Sequence, residues 1–181
     1  MDKYNEVVPQ TNKPLFIAYQ PSASEIDQNW SSISSGALFN NASAALGAKI
    51  LRASDEHYSP AHLAISPFSA INMFDGMESA RSRIPGSFEE LHLKLARPGR
   101  IESVEIDFTY FVNNNPLEIV CEAKTKDQWI AITNRINVKA YAGNKIHISY
   151  SGQELFDEFK IKTYPCGGFN RIRVFSRKDK N

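Results

Sequence analysis

The chain has 181 residues, enough for one domain with a full core and too few for two of ordinary size. Its 21 Lys and Arg offset 20 Asp and Glu to a formal charge of +1, so no global field steers it to nucleic acid or to an anionic membrane, and neither is an expected partner. The only cysteines, Cys121 and Cys166, give neither zinc-ligand spacing nor a disulfide framework; with no long apolar run and no signal pattern at the N-terminus, a soluble cytoplasmic protein is expected.

Residues 1–45 are rich in Ser, Asn, Gln and Pro yet keep Phe16, Tyr19, Trp30 and Phe39. Disordered segments rarely carry such aromatics, so this stretch reads as an arm that lies on the domain or on a neighbouring subunit. A short helical turn is predicted over residues 24–30, with Ser24 as its N-cap. The domain proper is expected at 46–176, followed by a frayed charged tail at 177–181.

A first strand is expected near Leu46 to Ile50, and Asp55-Glu56-His57 follows it. An acid pair beside an imidazole can orient a base. As a metal site it is poor, because adjacent residues on a strand face opposite ways and no second His completes it; no metal and no cofactor is expected.

Residues 72–86, Asn-Met-Phe-Asp-Gly-Met-Glu-Ser-Ala-Arg-Ser-Arg-Ile-Pro-Gly, place Asp75, Glu78, Arg81 and Arg83 between two turn signals. Apolar periodicity there is too weak for a core helix or strand, which predicts an ordered loop suited to binding or catalytic groups. On an extended segment Arg81 and Arg83 point the same way. The alternative is that they pair with Glu78 or Asp75 on a solvated loop, and that Asp75 serves only its Asp-Gly turn.

Beyond this loop, short alternating runs are separated by turn residues. Leu91, Leu93 and Leu95 precede Arg97-Pro98-Gly99, and Val104, Ile106 and Phe108 then share a face. The pair predicts a hairpin or a turn that crosses between sheets. Further strands are predicted at 117–123, 129–133, 136–141, 145–150, 156–164 and 169–175. With no long amphipathic helix between them, the pattern is that of an all-β protein, an antiparallel β-sandwich. His62, His92 and His147 read as structural, and Arg171 and Arg173 as solvated charges on an outer face.

The order and spacing of several pieces resemble one repeat of allantoicase. They are Leu46-Gly47-Ala48-Lys49-Ile50, Ala53-Ser54-Asp55-Glu56, Phe74-Asp75-Gly76-Met77-Glu78-Ser79 with Arg81 and Arg83, Pro98-Gly99-Arg100-Ile101, Phe111 with Asn114 and Pro116, and Tyr164-Pro165-Cys166-Gly167-Gly168 with Arg171-Ile172-Arg173-Val174. The resemblance implies a galactose-binding-domain-like jelly roll and amidine hydrolysis of allantoate to ureidoglycolate and urea in purine degradation. The family carries two repeats where this chain holds one, so a site shared across a homo-oligomer is expected. The family's two histidines are replaced here, in the regions of Ser87-Phe88-Glu89 and of Asp157-Glu158, and Cys166 stands for the turn Asp.

Asp75, Glu78 and His57 are thus the candidate catalytic residues. Arg81, Arg83, Asp55, Glu56 and Asn114 are the candidates to hold a substrate with one carboxylate and two ureido groups, since guanidinium binds carboxylate bidentately. The expected partner is a small ureide or, if the jelly roll is catalytically silent, a small anionic or sugar-like ligand. An interaction module docking through its aromatic arm is the third reading.

Overall fold

The computed structural model describes residues 19–138 and 145–179. Helix α1 (Ala23–Ser32) begins at Ser22, whose hydroxyl accepts from the Glu25 N–H while the Glu25 carboxylate accepts from the Ser22 N–H, a reciprocal capping box two residues ahead of the predicted cap. Twelve strands follow: β1 (Leu38–Asn40), β2 (Lys49–Ala53), β3 (Met77–Glu78), β4 (Glu89–Gly99), β5 (Ile101–Asp107), β6 (Glu118–Thr125), β7 (Gln128–Ala131), β8 (Ile136–Asn137), β9 (Lys145–Ser149), β10 (Phe156–Tyr164), β11 (Gly168–Phe169) and β12 (Arg171–Arg177).

The strands form a four-stranded sheet in the order β1-β12-β5-β9 and a six-stranded sheet in the order β2-β4-β10-β6-β7, with β8 also on β6; every pairing is antiparallel. Alternation decides the core. Leu91, Leu93 and Leu95 of β4, with Phe159 and Ile161 of β10, meet Val104 and Ile106 of β5 and Ile172 and Val174 of β12 in one apolar cluster. The molecule is therefore the β-sandwich that the alternating runs predicted. Arg97-Pro98-Gly99 belongs to β4, and the chain passes to β5 in the other sheet at Arg100, so the predicted turn crosses between sheets.

The arm is shorter than the composition implied. β1 pairs with β12 through Phe39 and Ser176, and Phe39, Ala42 and Ala44 are buried, so the sandwich starts at Leu38 and not at 46. The described part of the arm before it, residues 19–37, lies on its own domain. Trp30 packs edge-on against Phe39 with ring centroids 5.0 Å apart and donates to the Leu46 carbonyl at 2.9 Å. Residues 177–179, expected to fray, are also held: Arg177 makes a forked pair with Glu102, and Lys178 Nζ donates to the Ile33 carbonyl at 2.7 Å. Of the strand predicted at 136–141, residues 139–141 fall outside the described residues, as does Phe16.

The strand predicted over 169–175 is interrupted at Asn170. Its N–H donates to the Asp107 carbonyl at 2.7 Å, which separates β11 from β12 and frees β11 to pair with β3 instead. The two glycines before this break are required by close approach. Gly167 has φ +121°, and a Cβ on Gly168 would run into the Phe111 ring and stand 2.6 Å from the Met77 carbonyl oxygen. Gly168→Ala is accordingly expected to lower stability by about 1–3 kcal/mol through overpacking; a melting temperature within a degree of wild type would show that the Phe111 ring yields freely.

Candidate functional site

The stretch predicted to be a loop carries two short ordered pieces. Met73–Asp75 is a turn of 3-10 helix whose N-cap, Asn72, accepts from the Asp75 N–H, and Met77–Glu78 is β3, with Met77 only 2% exposed. Gly76 between them packs on Asn170, where a Cβ would stand 2.6 Å from Oδ1. Asp75 and Glu78, both candidate catalytic residues, thereby meet different partners.

Asp75 is tied to Arg171. The guanidinium is 1% exposed, pairs with Asp75 Oδ2 at 2.9 Å, and also donates to the carbonyls of Phe68 (2.8 Å), Asn170 (2.8 Å) and Asp75. Asp75 Oδ2 further accepts from the Ile71 N–H at 3.2 Å. The expectation that Arg171 is a solvated strand charge is overturned, because residues 66–76 fold over that end of β12. Arg173 is partly buried, with Nη1 2.7 Å from Glu105 Oε1.

Glu78 looks into a cavity of about 380 Å³ with Arg81, Asn114, Tyr58 and Cys166. β3 sets it opposite Gly168, and Tyr58 N–H donates to its carbonyl at 3.1 Å. Its carboxyl accepts from Asn114 Nδ2 at 2.6 Å. Burial raises the Glu78 pKa above the usual carboxylate range, while the Asn114 donor and the Arg81 charge pull the other way. Around it, Ser79 Oγ accepts from the Gly167 N–H at 3.0 Å, Asn114 O accepts from the Gly168 N–H at 2.8 Å, and the Ser82 N–H points at Cys166 Sγ at 3.1 Å. The Tyr-Pro-Cys-Gly-Gly turn thus forms one wall.

Of the other predicted residues, Asp55 accepts from the Ala80 N–H at 2.7 Å and lines a neighbouring open hollow of about 520 Å³ with Arg81 and Arg83. Both arginines line that hollow, together with Ala80, Ser82 and Ile84. Arg81 donates to the Asn113 carbonyl at 3.5 Å, and among the described residues neither guanidinium has a carboxylate within 4 Å, so pairing with Glu78 or Asp75 is not formed. Glu56 Oε1 instead accepts from the Ala61 N–H at 2.6 Å, at the start of the 3-10 turn Ala61–Ile65. His57 is exposed and edge-on to Tyr58 at 4.5 Å, outside the cavity lining.

The remaining histidines lie elsewhere: His92 bonds Glu158 at 2.6 Å on the outer sheet face, His147 lies 3.5 Å from Glu105, and His62 sits in the 3-10 turn. Burial lowers the His62 pKa. Among the described residues no cluster of His, Cys, Asp and Glu is arranged to hold a metal, and no helix is long and apolar enough to cross a membrane. Sequence reasoning had not placed Tyr58 or Cys166 in the site. For Cys166 a signal existed, since it sits between the cis Tyr164-Pro165 bond and Gly167 in the turn that the resemblance singled out.

Two sheets sharing one core, with polar groups gathered at loops on one end, define a galactose-binding-like jelly roll. A family 32 carbohydrate-binding module from C. perfringens, solved with galactose, superposes with a TM-score of 0.57 at 13% identity over 71% of this chain and 93% of its own. Allantoicase from Saccharomyces cerevisiae superposes with a TM-score of 0.72 at 26% identity, over 77% of this chain and 43% of that one. The family model for the allantoicase repeat matches residues 39–179, and the chain belongs to the allantoicase family. A probable allantoicase of Nocardia farcinica is 30% identical over 130 residues, 71% of this chain and 39% of its own length. One of Pseudomonas paraeruginosa is 26% identical over 162 residues, 83% of this chain and 48% of its own. The chain spans about half the length, or less, of the curated relatives it matches.

Two measurements check this geometry. With the folded pKa of Glu78 above its unfolded value, the native state holds the proton longer, so the carboxyl lowers stability as pH rises from about 4.5 through the folded pKa. Glu78→Gln should therefore match wild type below that window and equal or exceed it in melting temperature above it; a variant less stable at pH 7 than at pH 4, relative to wild type, would contradict the raised pKa. Arg171→Met, in contrast, strands the Asp75 carboxylate and should cost about 3–5 kcal/mol in urea unfolding at neutral pH.

Proposed function

We propose that the Glu78 cavity binds allantoate and releases urea from it, leaving ureidoglycolate. The observation that carries this reading is the meeting of three groups in one cavity on the family-matched segment: a half-buried carboxyl with a raised pKa, a guanidinium without an ion pair among the described residues, and the Asn114 carboxamide. Arg81 takes the substrate carboxylate, with Arg83 two residues further along the chain. Asn114 and the Ser79 region supply fixed polar partners for the ureido groups.

Glu78 then supplies the proton chemistry. Its protonated form gives a proton to the nitrogen of the departing urea as the carbon–nitrogen bond breaks, and its carboxylate takes a proton from the water that adds to the same carbon. Substrate and water enter, and urea and ureidoglycolate leave, with the carboxyl restored. A second copy of the chain, contributing to the mouth of the cavity, stands in this proposal for the further length that the relatives carry. The protein would work in the cytoplasm, where a ureide of purine breakdown is met.

Purified protein incubated with allantoate is expected to release urea more slowly than a two-repeat allantoicase, by about 10²- to 10⁴-fold, because no imidazole lines the cavity among the described residues. Loss of urea release in Glu78→Gln with retained fold is the supporting result. Calorimetric binding of allantoate without any turnover would favour a catalytically silent ligand-binding jelly roll. Light scattering showing only monomer at tens of micromolar would remove the shared-site element.

Arg81→Lys and Arg83→Lys keep the charge but lose the fork. If these groups grip the carboxylate, affinity for allantoate should fall about ten- to a hundredfold with little change in melting temperature. Equal affinity in all three proteins would sink the carboxylate role.

A further inference from the structure

The Glu78 cavity does not end at Arg81. That residue also lines the open hollow shared with Asp55 and Arg83, and Arg83 in turn lines a third hollow of about 290 Å³. The second hollow shares Arg81 with the first and Ser82, Arg83 and Ile84 with the third. The third combines exposed aliphatic groups with Glu118 and Arg135, which pair with each other at 3.1 Å. Ile84 and Leu117 stand in it 70% and 62% exposed, and the Tyr164 ring forms a wall with the Arg135 guanidinium stacked 4.0 Å from its centroid.

The turn that carries Ile84 is built. Ser82 Oγ and Ser87 Oγ are 2.8 Å apart, Ser87 Oγ lies 3.3 Å from the Pro165 carbonyl, and the Ser82 N–H meets Cys166 Sγ at 3.1 Å. Cys166 belongs to the polar cavity and Tyr164 to the apolar hollow, two residues apart on one chain. Across the cis Tyr164-Pro165 bond the Cα atoms of Tyr164 and Cys166 lie at most about 7 Å apart. That is within the reach of the side chain of one small amino-acid derivative whose nitrogen substituent sits in the cavity.

We infer that the site takes ureido acids bearing an apolar side chain, that is, N-carbamoyl amino acids: the carbamoyl group on Glu78 and Asn114, the carboxylate on Arg81 and Arg83, and the side chain on Ile84, Leu117 and Tyr164. This rests on the reading that the Glu78 cavity binds ureido acids, and extends it to the class of substrate. The chemistry is ordinary. A planar carbamoyl group meets an acceptor and an amide, an anion meets two forks, and exposed aliphatic surface is covered by the ligand.

Calorimetric titration of N-carbamoylglycine, N-carbamoyl-L-phenylalanine and allantoate into the wild-type protein and into the double variant Ile84→Ala/Leu117→Ala tests it. Both positions are exposed, so the variant should melt with wild type. In wild type the phenylalanine compound should bind about ten- to a hundredfold more tightly than the glycine compound, from burial of its ring. In the double variant that advantage should shrink to less than about threefold while affinity for N-carbamoylglycine stays the same. Equal affinity of the two compounds in wild type, or an advantage that survives the double substitution, overturns the inference while leaving the ureide reading intact. No binding by any of the three ligands overturns both.

Discussion

The ion pair between Arg171 and Asp75 is the interaction on which the functional end of this sandwich depends. Arg offers its donors in a fixed planar fork, and here they are directed at Asp75 Oδ2 and at three backbone carbonyls, two of them from the segment before β3. That segment has almost no apolar anchor of its own: Phe68, Ile71 and Phe74 are all more than half exposed. A buried charge therefore holds down what side-chain packing does not. Its desolvation is tolerable because the partners are present on every side, and removal of one partner is far more damaging than the net worth of the pair.

From that anchor the geometry of the site follows in short steps. Gly76 lies flush on Asn170, β3 pairs with β11, and Glu78 is set opposite Gly168. Two acids three positions apart thus meet different chemistry, one a guanidinium and the other a carboxamide. Burial lets the Glu78 carboxyl keep its proton to higher pH against the pull of the Asn114 donor, and an acid that holds its proton longer is better able to return it during a reaction. The division of labour is set by which neighbours the fold supplies.

Much of the fold could be read from alternation alone, since Leu91, Leu93 and Leu95, then Val104, Ile106 and Phe108, admit only one buried face in a two-layer structure. The same rule misled at Arg171. Alternation with Ile172 and Val174 says that Arg171 faces away from the core, and nothing local says that residues 66–76 will cover that outer face. Nor could Leu38–Asn40 be recognised as an edge strand, because three residues in a polar stretch carry too little pattern, and Phe39 there reads equally as an arm anchor. At the site, the spacing of Arg81 and Arg83 singled them out as candidates, and both line one hollow, but so does Ser82 between them. The meeting of Glu78 with Asn114 spans 36 residues and is a product of tertiary pairing; only the resemblance to a repeat put Asn114 among the candidates.

The candidate site combines a rigid floor with unfixed cations, and the combination bears on what it can bind. Its floor is over-determined: two glycines without room for a Cβ, Ser79 bonded to Gly167, and the Glu78–Asn114 pair. Arg81 and Arg83, in contrast, are exposed and reach over open hollows. Ordering each such side chain on a ligand opposes binding by about 0.5–1.5 kcal/mol, comparable to much of what one charged hydrogen bond returns. A ligand that engages only the arginines gains little from them. One that also fills the Glu78 cavity would meet groups already in place, so on the proposed reading recognition rests on the acid and amide, with the exposed guanidinium forks selecting for an anion at a set distance from them.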